Sequence, residues 1–391
     1  MLNTGIKVYL DNANIGELEK KYVLDVLESG FISTRGPLIK VFEEKFGEYL
    51  GGYVSATYSG TAGLHLSILY SLKKSGIDTS KNVGVILPAL TFAATSHAVL
   101  YNNLIPVFAD VDYNTWNIDI NRIPDLIERA KKSGVDVKFI LPVHLYGNPV
   151  DMEGIIKIAQ EYDLIVIEDA AEALGSFYKG QRCGTIGNFG VFSFNANKVI
   201  TASSGGAVFS KLKEDTDYIR FLSLQARNES KGYYHEDMGF NYRMTNIEAA
   251  IVLAQFEKLE YFLNLKRQFY NIYRDYLSNY VYFQYVIDGC ISNYWLISCL
   301  FKGIEIEEFQ KRLSSLGIPT RRIFYPLPLM NFYKKYVDVY LGDIEKVDFY
   351  RNSLEIYNYG LCLPTSTKNS VESIDFVAKS ILEQVKYLSK F

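Results

Sequence analysis

The sequence predicts an α/β fold: a large domain built on a mainly parallel, mixed sheet, followed by a smaller α+β domain. Three observations carry this expectation. Short, nearly continuous apolar runs recur through the first two-thirds of the chain, as strands buried on both faces require. Segments with apolar residues at helical spacing separate them, which is the pattern of repeated βα units. From about residue 247 the pattern gives way to a long helical stretch, and 391 residues are more than one small core needs. Domains are therefore expected over 1–250 and 251–391.

Taken in order, the predicted strands are VGVILP (83–88), IPVFAD (105–110), KFILPV (138–143) and LIVIED (164–169). AATSHAVLYNN, IPDLIERAKKSG and MEGIIKIAQEYD read as the helices between them. GVFSF (190–194) and GGAVFS (205–210) follow with no long helix in between. The run from Asn246 to Leu277 holds almost no turn signal and predicts one long helix. NYWLISCLF then reads as a strand, EIEEFQKRLSSLG as a helix closed by Gly317, and a last helix begins near Ser373.

Composition narrows the function. With 48% hydrophobic and 22% charged residues, a net charge of −3 and scattered basic residues, the chain is not expected to bind nucleic acid. Cys183, Cys290, Cys299 and Cys362 form no CxxC pair, and the four histidines form no HExxH pattern, so no metal is expected. The N-terminus lacks the apolar core of a signal peptide, and no apolar run reaches the roughly 18 residues of a membrane span. A cytoplasmic protein is expected.

Three stretches carry chemistry. In YSGTAGLHL, a helix predicted to start near Thr61 offers free N–H groups and a positive dipole end to a single phosphate, although an ordinary helix cap would look the same. Glu168 and Asp169 end a buried strand, where open α/β sheets bind ligands. A carboxylate there needs a cation or a donor; a protonated pyridine nitrogen would serve Asp169, although a helix-capping Asp after a strand would look the same. Lys198, in SFNANKVITASSGG, lies in a loop ahead of Gly205 and Gly206. It is either a solvated surface lysine or a desolvated nucleophile. A phosphate site, a carboxylate for a ring nitrogen and an amine for an aldehyde together describe pyridoxal 5′-phosphate (PLP).

The chain also resembles the DegT/DnrJ sugar aminotransferases, PLP enzymes of the aspartate-aminotransferase fold (PLP fold type I). The resemblance runs in order through GFISTRGPLIKVFEEKFGEYLG, SGTAGLHL, LPALTFAATSHAVLYNNLIPVFADVD, PVHLYGNPVDMEGI, EDAAEALGS, FSFNANKVITASSGG and GFNYRMTNIEAAI. It implies that Lys198 holds the cofactor as a Schiff base and shuttles a proton, that Asp169 pairs with the pyridine nitrogen, and that Glu172 lies beside the ring. It further implies that Phe92 stacks on the ring, that Thr61 and Ala62 offer backbone donors to the phosphate, and that Ser193 offers a hydroxyl. Asn241 would reach the phosphate from a neighbouring subunit, making a homodimer with shared active sites. The implied substrates are L-glutamate and a nucleotide-linked 4-keto-6-deoxy sugar, the cofactor cycling between PLP and its pyridoxamine form (PMP). GDP-4-keto-6-deoxymannose, aminated to GDP-perosamine for a surface polysaccharide, is the first choice. A UDP-linked 4-keto-6-deoxy-N-acetylhexosamine is the alternative, and a PLP-binding regulator without turnover a more distant one. Two departures from the family are Pro328, where a histidine is usual near the sugar-nucleotide site, and the pair Ser203–Ser204 ahead of the glycines.

Overall fold

The computed structural model describes residues 7–388. Seven strands form the main sheet: β1 (Tyr53–Thr57), β2 (Val83–Pro88), β3 (Ile105–Ala109), β4 (Asp136–Ile140), β5 (Ile165–Asp169), β6 (Phe189–Ser193) and β7 (Gly206–Ser210). Their order across the sheet is β1-β7-β6-β5-β4-β2-β3. β7 is antiparallel to both of its neighbours, and the other pairs are parallel. Strands β2 to β7 follow the apolar runs closely. β4 stops at Ile140, short of the predicted residue 143, because Pro142 has no N–H for the ladder. Its carbonyl instead accepts the Asp169 amide at 2.9 Å.

Helices cover the sheet: α1 (Glu17–Ser29), α2 (Pro37–Leu50), α3 (Gly60–Lys74), α4 (Ala93–Tyr101), α5 (Ile123–Lys132), α6 (Met152–Tyr162) and α7 (Lys213–Ser223). The predicted single helix over Asn246 to Leu277 is in fact two, α8 (Asn246–Phe256) and α9 (Leu259–Leu277). No glycine or proline marks the break. Glu257 accepts the Tyr22 hydroxyl at 2.5 Å and Lys258 pairs with Glu19, so contacts with α1 set the bend.

Beyond α9, four short strands form a second sheet: β8 (Tyr282–Phe283), β9 (Ser298–Leu300), β10 (Arg321–Arg322) and β11 (Gly360–Cys362), in the order β8-β9-β11-β10. With α10 (Ile306–Ser315) and the last helix, Val371–Leu388, they enclose a separate apolar cluster around Phe269, Phe301, Phe309 and Ile381. The N-terminal segment joins this part of the chain, since Thr365 and Ser366 both donate to the Leu10 carbonyl.

The free edge of β3 is closed by side chains. Phe108 N–H donates to the Tyr340 hydroxyl at 2.9 Å, and the Tyr350 hydroxyl donates to the Phe108 carbonyl at 3.2 Å. Both tyrosines are buried, and their hydroxyls lie 3.2 Å apart. Tyr340→Phe would leave the buried Phe108 N–H without an acceptor. We expect a loss of about 1–3 kcal/mol in urea unfolding with the fold retained. A change below the error of the measurement would show that the hydroxyl is dispensable.

Candidate active site

β5 ends in two buried carboxylates, and strand alternation sends them to opposite faces. Glu168 accepts four hydrogen bonds: from His144 Nε2 (3.0 Å), Gly184 N (2.7 Å), Ile186 N (2.6 Å) and Gly187 N (2.7 Å). His144 Nδ1 accepts the Val150 amide at 3.1 Å, so its proton lies on Nε2, toward Glu168. Glu168 therefore builds the turn at 184–187. Asp169 faces the other way, into a cleft of about 510 Å3. Its Oδ1 accepts the Ala171 amide (3.2 Å) and its Oδ2 the Thr95 hydroxyl (2.7 Å). Burial raises its carboxyl pKa above the ordinary value, against the pull of those two donors and of Lys198.

Lys198 enters the same cleft on the loop between β6 and β7. Phe194 N–H donates to the Gly205 carbonyl and Ala202 N–H to the Phe194 carbonyl, closing the loop at its base. Ser203 takes a left-handed φ of 77°, a conformation that glycine adopts more easily. The Lys198 amine lies 3.8 Å from Glu172 Oε1 and 3.8 Å from the centroid of the Trp295 ring. Burial lowers its pKa, although Glu172, Asp169 and Asp11 favour the charged form. Burial pushes Glu172 up to about 7, with Lys198 and the Tyr146 amide pulling the other way. That amide donates to Glu172 Oε2 at 2.7 Å from a residue with φ of 55°. The Tyr146 hydroxyl accepts the Phe324 amide at 3.0 Å, which ties Glu172 to the mouth of the cleft.

At the far end, α3 begins against β6 and β7. A Cβ on Gly206 would fall 2.4 Å from the Ser59 carbonyl carbon, so only glycine lets β7 pass there. The first intrahelical bond runs from Gly63 N–H to the Ser59 carbonyl, leaving the Gly60 and Thr61 amides ahead of it. The Ala62 amide, expected as a phosphate donor, donates to Ser59 Oγ at 3.1 Å. Thr61, Phe92, Asp169, Glu172, Ser193 and Lys198 all line the one cleft. Asn241 does not; it lines a separate surface cleft with Thr34, Arg35 and Gln225. Pro328 is buried in a short 3-10 turn and does not line the Lys198 cleft. The sequence reading missed Thr95, Tyr146, Trp295 and Arg321. Trp295 and Arg321 reach the site from segments with no local motif, whereas Thr95 and Tyr146 stand within the strings LTFAAT and PVHLYGNP.

The profile of the DegT/DnrJ/EryC1/StrS aminotransferase family matches residues 13–382. The chain belongs to this family. It is a PLP-dependent sugar aminotransferase. It is 35% identical over 367 residues to the GDP-perosamine synthase of Escherichia coli O157:H7, covering 93% of this chain and 95% of that one. It is 30% identical over 388 residues to the dTDP-4-amino-4,6-dideoxy-D-glucose transaminase of Shigella dysenteriae, covering 96% and 98%. The PMP form of Spr1654 from Streptococcus pneumoniae superposes with a TM-score of 0.85 at 26% identity, covering 98% of this chain and all of that one. The cleft suits the family's cofactor: amides at a helix start for a phosphate, a buried carboxylate for a ring nitrogen, and an amine between them. Among the described residues no helix is long and apolar enough to cross a membrane, and no cluster of His, Cys, Asp or Glu is arranged to hold a metal.

Glu172 makes the cofactor-free protein sensitive to pH. Its folded pKa of about 7 lies above the ordinary value of 4.5, so the folded state holds a proton that the unfolded state releases between these values. Its contribution therefore falls as pH rises through that window. Glu172→Gln should remove this slope, gaining about 2–3 kcal/mol over wild type at pH 8 relative to pH 5. Urea midpoints of cofactor-free protein across that range provide the check, and parallel curves would refute it.

Proposed function

We propose that this aminotransferase moves the amino group of L-glutamate to C4 of GDP-4-keto-6-deoxymannose, giving GDP-perosamine. The observation that carries the chemistry is the Lys198 amine held between Glu172 and Trp295 in a cleft floored by Asp169. When bound, pyridoxal phosphate supplies an electron sink for the bonds at the donor α-carbon. Lys198 would tether the cofactor, then take the proton from the donor Cα and deliver one to C4 of the sugar in the second half-reaction. Its pKa, lowered by burial, suits that work, because desolvation favours the free base over the charged amine. Glu172, 3.8 Å away, balances the charge on the amine as it gains and loses the proton. Asp169 would keep the ring nitrogen protonated, and Phe92, exposed at the cleft mouth, would offer the ring a flat face. Thr61, Ala62 and Ser193 would hold the phosphate, with the Ala62 amide leaving Ser59 to do so.

The GDP sugar is favoured by the similarity to the E. coli synthase along nearly the whole of both chains. Competition between GDP-4-keto-6-deoxymannose and the UDP-linked 4-keto-6-deoxy-N-acetylhexosamine, at equal concentration with glutamate, tests it. We expect kcat/KM to favour the GDP sugar. A preference of more than about tenfold for the UDP sugar, about 1.4 kcal/mol of transition-state energy, would reject it.

The homodimer belongs to the same reading. Phe31 (62% exposed), Tyr233 (87%) and Met238 (70%) leave apolar surface open around the segment that carries Asn241. Arg35 and Glu229 pair across that surface, and Asn246 fixes the 31–33 turn through the Phe31 carbonyl. A second copy placed there would bring its Asn241 toward a phosphate in this copy. Mixing Lys198→Ala protein with Asn241→Ala protein should restore part of the activity that each lacks alone. No recovery after verified subunit exchange would mean that the sites are not shared.

A further inference from the structure

This inference rests on the donor named above and concerns how the site recognises it. Glutamate brings two carboxylates into a cleft that already contains Asp169 and Glu172, so binding needs a fixed cation. Among the described residues the cleft lining supplies two, Lys198 and Arg321. Lys198 is committed to the cofactor. Arg321 opens β10, in register with Cys362 of β11, so its backbone belongs to the second sheet while its side chain reaches the cleft.

Arg321 is already occupied. Its Nη1 lies 2.6 Å from Oδ2 of Asp11, which is mostly buried. Asn197 Nδ2 donates to the same oxygen at 3.0 Å, and the Asn197 carbonyl accepts the Trp295 indole N–H at 2.6 Å. The pair stands next to the reactive amine: Asp11 raises the Lys198 pKa and Arg321 lowers it. One oxygen of Asp11 is shared between Arg321 and Asn197, whereas a free carboxylate can engage the guanidinium fork with both of its oxygens. Asn197 would remain as a partner for Asp11 if the arginine turned away.

We propose that Arg321 is the carboxylate-binding residue for the amino donor, and that Asp11 is an internal stand-in that the donor displaces. Two expectations of opposite sign follow. Loss of the guanidinium weakens donor binding, whereas loss of the Asp11 charge strengthens it by removing the competitor. A merely structural ion pair would weaken binding from either side.

The experiment measures the apparent Kd of L-glutamate in single-turnover reactions of the loaded enzyme without acceptor, and the KM of the keto sugar separately. A second readout is the rise in Tm that glutamate gives the cofactor-free protein, which needs no turnover. Arg321→Gln should raise the glutamate Kd at least about tenfold, with Arg321→Lys in between and the sugar KM within about twofold of wild type. Asp11→Asn should lower the glutamate Kd by about two- to fivefold and enlarge the Tm rise. Three results would overturn the proposal: a glutamate Kd unmoved by Arg321→Gln, a sugar KM that takes the loss instead (marking Arg321 as a phosphate ligand), or weaker donor binding in Asp11→Asn. Failure of wild-type protein to accept an amine from glutamate would overturn the donor reading itself, before any variant is compared.

Discussion

The site depends on a single constraint: two adjacent carboxylates, Glu168 and Asp169, are buried at the end of one strand. Each must be compensated, and a strand directs neighbouring side chains to opposite faces. On one face the backbone folds around Glu168 until four donors saturate it, fixing the turn that leads into β6. On the other face, Asp169 receives one hydroxyl and one amide. The asymmetry divides the labour. One carboxylate is a structural anchor, and the other keeps capacity for a charged partner in the cleft.

The electrostatics of the cleft follow from that arrangement. Asp169, Glu172 and Lys198 are withdrawn from water, and burial shifts each toward its neutral form. Their charges oppose that shift: Lys198 draws both carboxyls down, and the two carboxylates hold the amine's pKa up. Trp295 adds a π-face to the amine and is itself held at three points: by Asn293 through its amide, by Asn197 through its indole and by the buried Lys266 through its carbonyl.

How far this was legible in the sequence varies with the kind of interaction. The central strands could be read because burial on both faces leaves an unbroken apolar run, as in VGVILP. Edge strand β1 was passed over: Tyr53 is exposed, Ser55 and Thr57 interrupt the apolar residues, and its place beside β7 comes from pairing. The break between α8 and α9 left no mark, because it is made by Glu257 and Lys258 reaching α1. Asp169 and Lys198 stood out because each sits in a distinctive string at a strand end. Trp295 and Arg321 did not, because they come from far along the chain, one from the loop before β9 and the other from β10. Asn241 was singled out only through family resemblance; within a single chain it lines a different cleft from the lysine.

The tyrosine pair on β3 has a consequence for self-association. A seven-stranded sheet with an open, apolar margin invites further strands from other copies, and it is the usual route by which such sheets grow into aggregates. Here two hydroxyls occupy the hydrogen-bonding positions at Phe108 that an incoming strand would need. At the opposite margin, the Tyr242 carbonyl and Arg243 lie across the end of β1. Growth of the sheet is thus obstructed at both sides by the chain's own residues. The exposed aromatic surface around residues 31–35 and 229–241 lies apart from both margins, so the proposed dimer would close on itself without adding a strand to either.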